Sequence, residues 1–183
     1  MKTIQMWRDL EYPDELVQCA KSVISIVGKD NYQLVCNSTE LPKILGVPSI
    51  NFDDEYNRVL SIIGNRKWWG DYCIKNYFMS DMLRLYYATQ IKDLFYLDID
   101  ITLKQMPVFN KFSRPYLMDR DFCMFYVNGR IDWFQNVINE VVKTPPYPMC
   151  IFHYIISEMT LVSHNITPNY YIRKDFGIKW KSI

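Results

Sequence analysis

Residues 94–104 read LFYLDIDITLK, an apolar run that closes on two aspartates, Asp98 and Asp100, with one residue between them. The run itself reads as a buried strand. Asp is a poor strand former, and two carboxylates this close raise each other's pKa unless a cation offsets the repulsion. In open α/β sheets, ligands bind beyond the carboxyl ends of the strands, and this strand would deliver both acids to that edge. Mg²⁺ and Mn²⁺ prefer oxygen ligands and share their shells with substrate phosphates. The Asp-x-Asp spacing therefore suggests a metal–diphosphate site, although two acids on a solvated turn are commoner than a metal site.

Immediately upstream, CIKNYFMSDMLRLYYATQIK (73–92) has a long helical pattern. It places Ser80, Asp81 and Arg84 within about one turn, with Asp81 and Arg84 on one face. Alone, such a pair is a surface contact of about 0.3 kcal/mol. Feeding directly into the strand that ends at Asp98, it could instead share that strand's edge. There Arg84 offers a planar, permanently charged fork suited to a phosphate or to sugar hydroxyls.

Farther out, TIQMW (3–7) predicts a first strand. YPDELVQCAKSVISIVG (12–28) predicts a helix, opened by Pro13, Asp14 and Glu15 and ended by Gly28. YQLVC (32–36) predicts a second strand, completing a βαβ unit. TELPKILG and DEYNRVLSIIG read as further helices, NRKWWGDY (65–72) as irregular, and FCMFYVNG (122–129) as a strand. DWFQNVINEVVK (132–143) and MCIFHYIISEMTLVS (149–163) have helical spacing. Strands alternating with helices define an α/β class with a mainly parallel central sheet flanked by helices, in one domain over residues 1–183.

Composition narrows the function classes. With 14 Tyr, 10 Phe and 5 Trp in 183 residues, the chain has ample material for a core, and the composition argues against disorder. A formal net charge of +1 provides no electrostatic argument for nucleic acid. The 5 cysteines form no CxxC and read as free, buried thiols. No run approaches the ~20 apolar residues of a membrane span, and the start lacks the apolar core of a signal peptide. The expected setting is thus cytoplasmic, in a bacterium or in the host cytosol of a virus. The sequons at Asn37 and Asn165 are read as chance without a secretory signal.

The segment MSDMLRLYYATQIKDLFYLDIDITLKQMP (79–107) resembles the sugar-binding region of the DXD-containing glycosyltransferases. The matching positions are Ser80, Asp81, Arg84, Tyr96, Leu97, Asp98, Asp100, Lys104 and Pro107. IQMWRDLEYPDE (4–15) is similar to that family's opening strand through Gln5 and Trp7, and FYVNGRIDWFQNVINEV (125–141) to its later turn through Asn128. Asp93 and Leu94 stand where the family often has two glycines, and Ile4 where it usually has His.

The resemblance implies a GT-A fold, a UDP- or GDP-sugar donor, Mn²⁺ or Mg²⁺, and a retaining hexosyl transfer to a glycan or other hydroxyl acceptor, as in polysaccharide biosynthesis. It implies that Asp100 holds the metal, with Asp98 assisting through the metal or the donor. Asp81 and Arg84 orient sugar hydroxyls, and Gln5, Ser80 and Asn128 join the donor site. Trp7 either stacks on the base or belongs to the core. Two alternatives stand beside this reading. One is a non-catalytic GT-A-like nucleotide-sugar-binding module or a subunit of a larger enzyme. The other is a haloacid-dehalogenase-like phosphatase, with Asp98 as nucleophile and Asp100 as acid–base group. The phosphatase needs a later acidic pair, and Asp119, Asp121, Asp132, Glu140, Glu158 and Asp175 form no such motif. His153, His164 and the aromatic stretch KWW (67–69) read as core or surface features.

Overall fold

Strands and helices alternate through the first half of the chain in a computed structural model, which describes residues 1–63, 76–107, 116–117, 124–128, 135–136 and 171–173. β1 (Lys2–Trp7), α1 (Asp14–Val27) and β2 (Tyr32–Cys36) form the expected βαβ unit. α2 (Leu41–Leu45), β3 (Ser49–Ile50), α3 (Phe52–Ile63) and α4 (Asn76–Gln90) follow, and α4 leads into β4 (Asp93–Leu97). Next come β5 (Ile101–Leu103), β6 (Tyr116–Leu117), β7 (Met124–Asn128) and β8 (Tyr171–Arg173). The expectations for KWW, for the helix at 149–163, for most of the helix at 132–143, and for His153 and His164 fall outside the described residues.

Six strands make the central sheet, in the order β3-β2-β1-β4-β7-β6. β1 to β4 run parallel, and β7 and β6 add antiparallel at one side. The order reverses at β1: the chain first steps outward through β2 and β3, then crosses back to lay β4 on the other side of β1. Such a switch point opens a crevice beyond the carboxyl ends of the two strands that flank it. β5 and β8 pair antiparallel in a separate two-stranded sheet.

Strand periodicity divides the core in two. Ile4, Met6, Leu94, Tyr96, Phe125 and Val127 face α3 and α4. Trp7, Leu34, Cys36, Phe95, Leu97 and Met124 face α1 and α2. Alternate residues of β4 thus enter opposite cores, which explains why the run is apolar without interruption. α1 begins as its sequence predicts, with Pro13 extended at the cap and Asp14 and Glu15 in the first turn. It stops at Gly28, whose φ of 81° suits glycine and whose N–H donates to the Ile24 carbonyl at 2.9 Å. Among the described residues, no helix is long and apolar enough to cross a membrane.

Candidate active site

Because β1 to β4 are parallel, the residues that follow each of them collect on one edge. After β1, β2 and β3 that edge holds a cleft of about 450 Å³, lined by Arg8, Asp9, Leu10, Asn37, Asn51 and Asp53. Its size falls within the range of small-molecule sites, roughly 300–1,000 Å³. The walls are fixed by α3. Asn37 Oδ1 accepts the Asp53 N–H at 3.1 Å, Asn51 Oδ1 accepts the Asp54 N–H at 3.0 Å, and Arg8 Nε donates to Asp53 Oδ1 at 3.0 Å. Both amide oxygens are thereby committed to the helix N-terminus. Each Asn side chain retains an N–H₂ for other use.

Across β1, β4 ends at Leu97 and the two aspartates occupy the turn that follows, closed by the Ile101 N–H donating to the Asp98 carbonyl at 3.2 Å. Two described side chains support the Asp98 carboxylate. The Tyr96 hydroxyl donates to its Oδ1 at 2.7 Å, and Arg84 Nη2 lies 3.3 Å from the same atom. Arg84 is 8% exposed, and its guanidinium sits 4.8 Å from the Tyr96 ring centroid. A permanent cation this buried needs such company. Tyr96 in turn stacks on its cross-strand partner Phe125, with ring centroids 5.1 Å apart. Arg84 and Asp98, predicted to share an edge, are brought together.

Gln5 is fully buried and bridges inward: it accepts from the Tyr32 hydroxyl at 2.9 Å and donates to the Asp98 carbonyl at 2.9 Å. Burial raises the Tyr32 phenol far above its ordinary pKa, so it stays protonated and keeps donating to Gln5. Trp7 packs in the α1 core, 8% exposed, with its indole N–H donated to the Glu11 carbonyl at 3.0 Å. Ser80 is half-buried on α4, which also carries Asp81, and Asn128 closes β7 opposite Asp93. Cys19 and Cys36 are free and buried as expected, and burial pushes the Cys36 thiol up to about 11. Sequence reasoning missed the cleft residues Arg8, Asn37, Asn51 and Asp53. The signal for Arg8 and Asn37 was available, since each directly follows a predicted parallel strand.

The donor set bears on the implied metal. Asp98 and Asp100 offer hard oxygen ligands, and among the described residues no group of three or more acidic, His or Cys side chains gathers. Two carboxylates suit an ion that completes its shell with substrate phosphates and water. Arg84 beside Asp98 disfavours direct contact between that carboxylate and a cation, which leaves Asp100 as the better ligand. The residues present fit a Mg²⁺ or Mn²⁺ ion bound together with a diphosphate.

The described architecture is a glycosyltransferase-like α/β fold. It is similar to the solved PaToxG glycosyltransferase, with a TM-score of 0.57 over 87% of this chain and 67% of that one, at 14% sequence identity. A second similar structure is a transferase with two cysteine-to-serine substitutions, at a TM-score of 0.51 and 9% identity, covering 95% of this chain and 91% of its own. At these identities the likeness is one of fold. No protein-family model matches the chain, and no curated protein matches its sequence.

Proposed function

We propose that this protein is a metal-dependent glycosyltransferase, transferring a sugar from a nucleoside diphosphate donor to a glycan or other hydroxyl acceptor with retention of anomeric configuration. The observation that carries the reading is one of placement: the Asp98–Asp100 turn and a nucleoside-sized cleft flank β1 on one sheet edge, at the switch point. The cleft offers amide N–H₂ groups, carboxylates and an arginine, chemistry suited to a base and ribose. Asp100 would hold the ion, which when bound would supply Lewis-acid neutralisation of the diphosphate leaving group. Arg84, held over Tyr96, orients sugar hydroxyls or a phosphate oxygen, with Asp81 on the same helix. Asp98 fixes Arg84 in place and accepts from donor hydroxyls. Such positioning places the anomeric carbon for attack.

A phosphatase reading would make Asp98 the nucleophile. Its Oδ1 already accepts from Tyr96 beside Arg84, which lowers its nucleophilicity, and neither structural likeness is to a phosphatase. The test is a thermal-shift panel of UDP-, GDP-, CMP- and dTDP-sugars, with and without Mn²⁺, followed by transfer assays. One donor should stabilise the wild type in the presence of metal, and Asp100→Ala should lose that stabilisation while keeping the fold. Wild-type metal dependence in both Asp100→Ala and Asp98→Ala overturns the proposal. Stabilisation without transfer would make the chain a nucleotide-sugar-binding module.

A further inference from the structure

The backbone leaves the central sheet at Leu97, so Asp100 lies beyond the six-stranded ladder. Asp98 is fixed from the sheet side by Gln5, Tyr96 and Arg84. The segment after it is instead fastened to α1. The Cys19 thiol, fully buried, lies 3.6 Å from the Asp100 carbonyl and 3.3 Å from Thr102 Oγ1. One turn along the same helix face, Ser22 Oγ accepts the Leu103 N–H at 3.0 Å and donates to the Cys19 carbonyl at 2.6 Å. A thiol is a small apolar group with a weak donor, so it can sit fully buried on α1 and still meet a carbonyl.

We infer that Cys19 and Ser22 are positioning residues that aim Asp100, a role that rests on the proposed reading of the Asp98–Asp100 turn. The two carboxylates are then set by different layers of the fold: one by the sheet and α4, the other by α1. Loosening the α1 contacts should move Asp100 while leaving the Arg84–Asp98 pair in place. The effect should fall on metal affinity, with turnover at saturating metal little changed.

Cys19→Ala and Ser22→Ala test this, read by the Mn²⁺ concentration needed for half-maximal thermal stabilisation with the donor and by amide hydrogen exchange across residues 100–103. The Mn²⁺ midpoint should rise about tenfold, the size of effect typical of groups that orient a metal ligand. Exchange at Leu103 should quicken, and Cys19→Ser should recover most of the metal affinity. Val23→Ala, in the same core, serves as the control: it should lower the melting temperature and leave the Mn²⁺ midpoint alone. Unchanged midpoint and exchange in both α1 variants overturn the inference, as does an equal midpoint shift in Val23→Ala. If no donor and metal stabilise the wild type, the transferase reading has failed, and exchange alone then judges the α1 brace: faster in the variants supports it, unchanged overturns it.

Discussion

Asp98 and Asp100 look alike in the sequence and differ in their surroundings. Asp98 shares its Oδ1 between a phenol and a guanidinium, whereas the backbone carbonyl of Asp100 meets the Cys19 thiol of α1. The difference rests on Tyr96, whose ring carries Arg84 and whose hydroxyl orients the carboxylate. Tyr96→Phe keeps the ring and removes the 2.7 Å hydrogen bond. We expect a stability loss of about 1 kcal/mol, the usual worth of such a bond. A loss of about tenfold in kcat/KM should accompany it if the carboxylate's orientation matters in the transition state. Urea denaturation and steady-state kinetics measure the two, and unchanged kinetics would remove Tyr96 from the machinery. The charged members of this cluster were legible in the sequence because charge beside a buried strand demands a reason. Gln5 was named only through the resemblance to a family's opening strand; its full burial and its bond to Tyr32 are tertiary facts with no local pattern behind them. Trp7 was open between core and base, and its indole N–H is satisfied by a carbonyl four residues on.

Helix α4 carries Arg84, so its seating against α3 matters. The joint is Glu55, buried in the first turn of α3. It accepts from Arg58 at 2.6 and 2.7 Å and from the Tyr87 hydroxyl of α4 at 2.8 Å. Arg58 also reaches the Tyr86 hydroxyl at 3.3 Å, so the pair spans both helices. The bond from Arg58 is the main force holding the Glu55 carboxyl below its ordinary pKa; burial opposes it and Tyr87 assists it. A depressed native pKa stabilises the fold above the unfolded value of about 4.3, and that contribution is lost as pH falls through the native value. Glu55→Gln should therefore cost about 1–3 kcal/mol at pH 7, with the gap to wild type closing below about pH 4. Denaturation at several pH values checks it, and a gap independent of pH would refute the coupling. The i, i+3 Glu55–Arg58 spacing was visible in the sequence, but the two tyrosines arrive from another helix. Element length set a second limit. α1, α3, α4, β1, β2, β4 and β7 were legible because each is long enough to show a period. β3, β5, β6 and β8 span two or three residues and show none.

Across the whole molecule, alternation of strand and helix was enough to expect a parallel sheet with its functional edge at the carboxyl ends. It could not show that the chain returns at residues 171–173 to touch the site. β8 pairs with β5, the strand directly after Asp100, in the register Ile101↔Arg173, Thr102↔Ile172 and Leu103↔Tyr171. The Ile101 N–H goes to the Asp98 carbonyl and the Leu103 N–H to Ser22 Oγ. The ladder to β8 must then run through the Thr102–Ile172 pair, which exchanges its N–H and C=O groups. The strand that follows Asp100 is consequently held between α1 on one side and residues 171–173 on the other. Ile172→Pro removes the donor that closes this pair and leaves the six-stranded sheet untouched. The variant should remain folded, with a melting temperature lower by about 2–4 °C for each kcal/mol lost. Its Mn²⁺ midpoint with the donor should rise, because β5 keeps only its α1 support. Circular dichroism and metal titration by thermal shift separate the outcomes. An unchanged midpoint would show that α1 alone sets Asp100, and global unfolding would show that the small sheet is integral to the core and not an attachment to it.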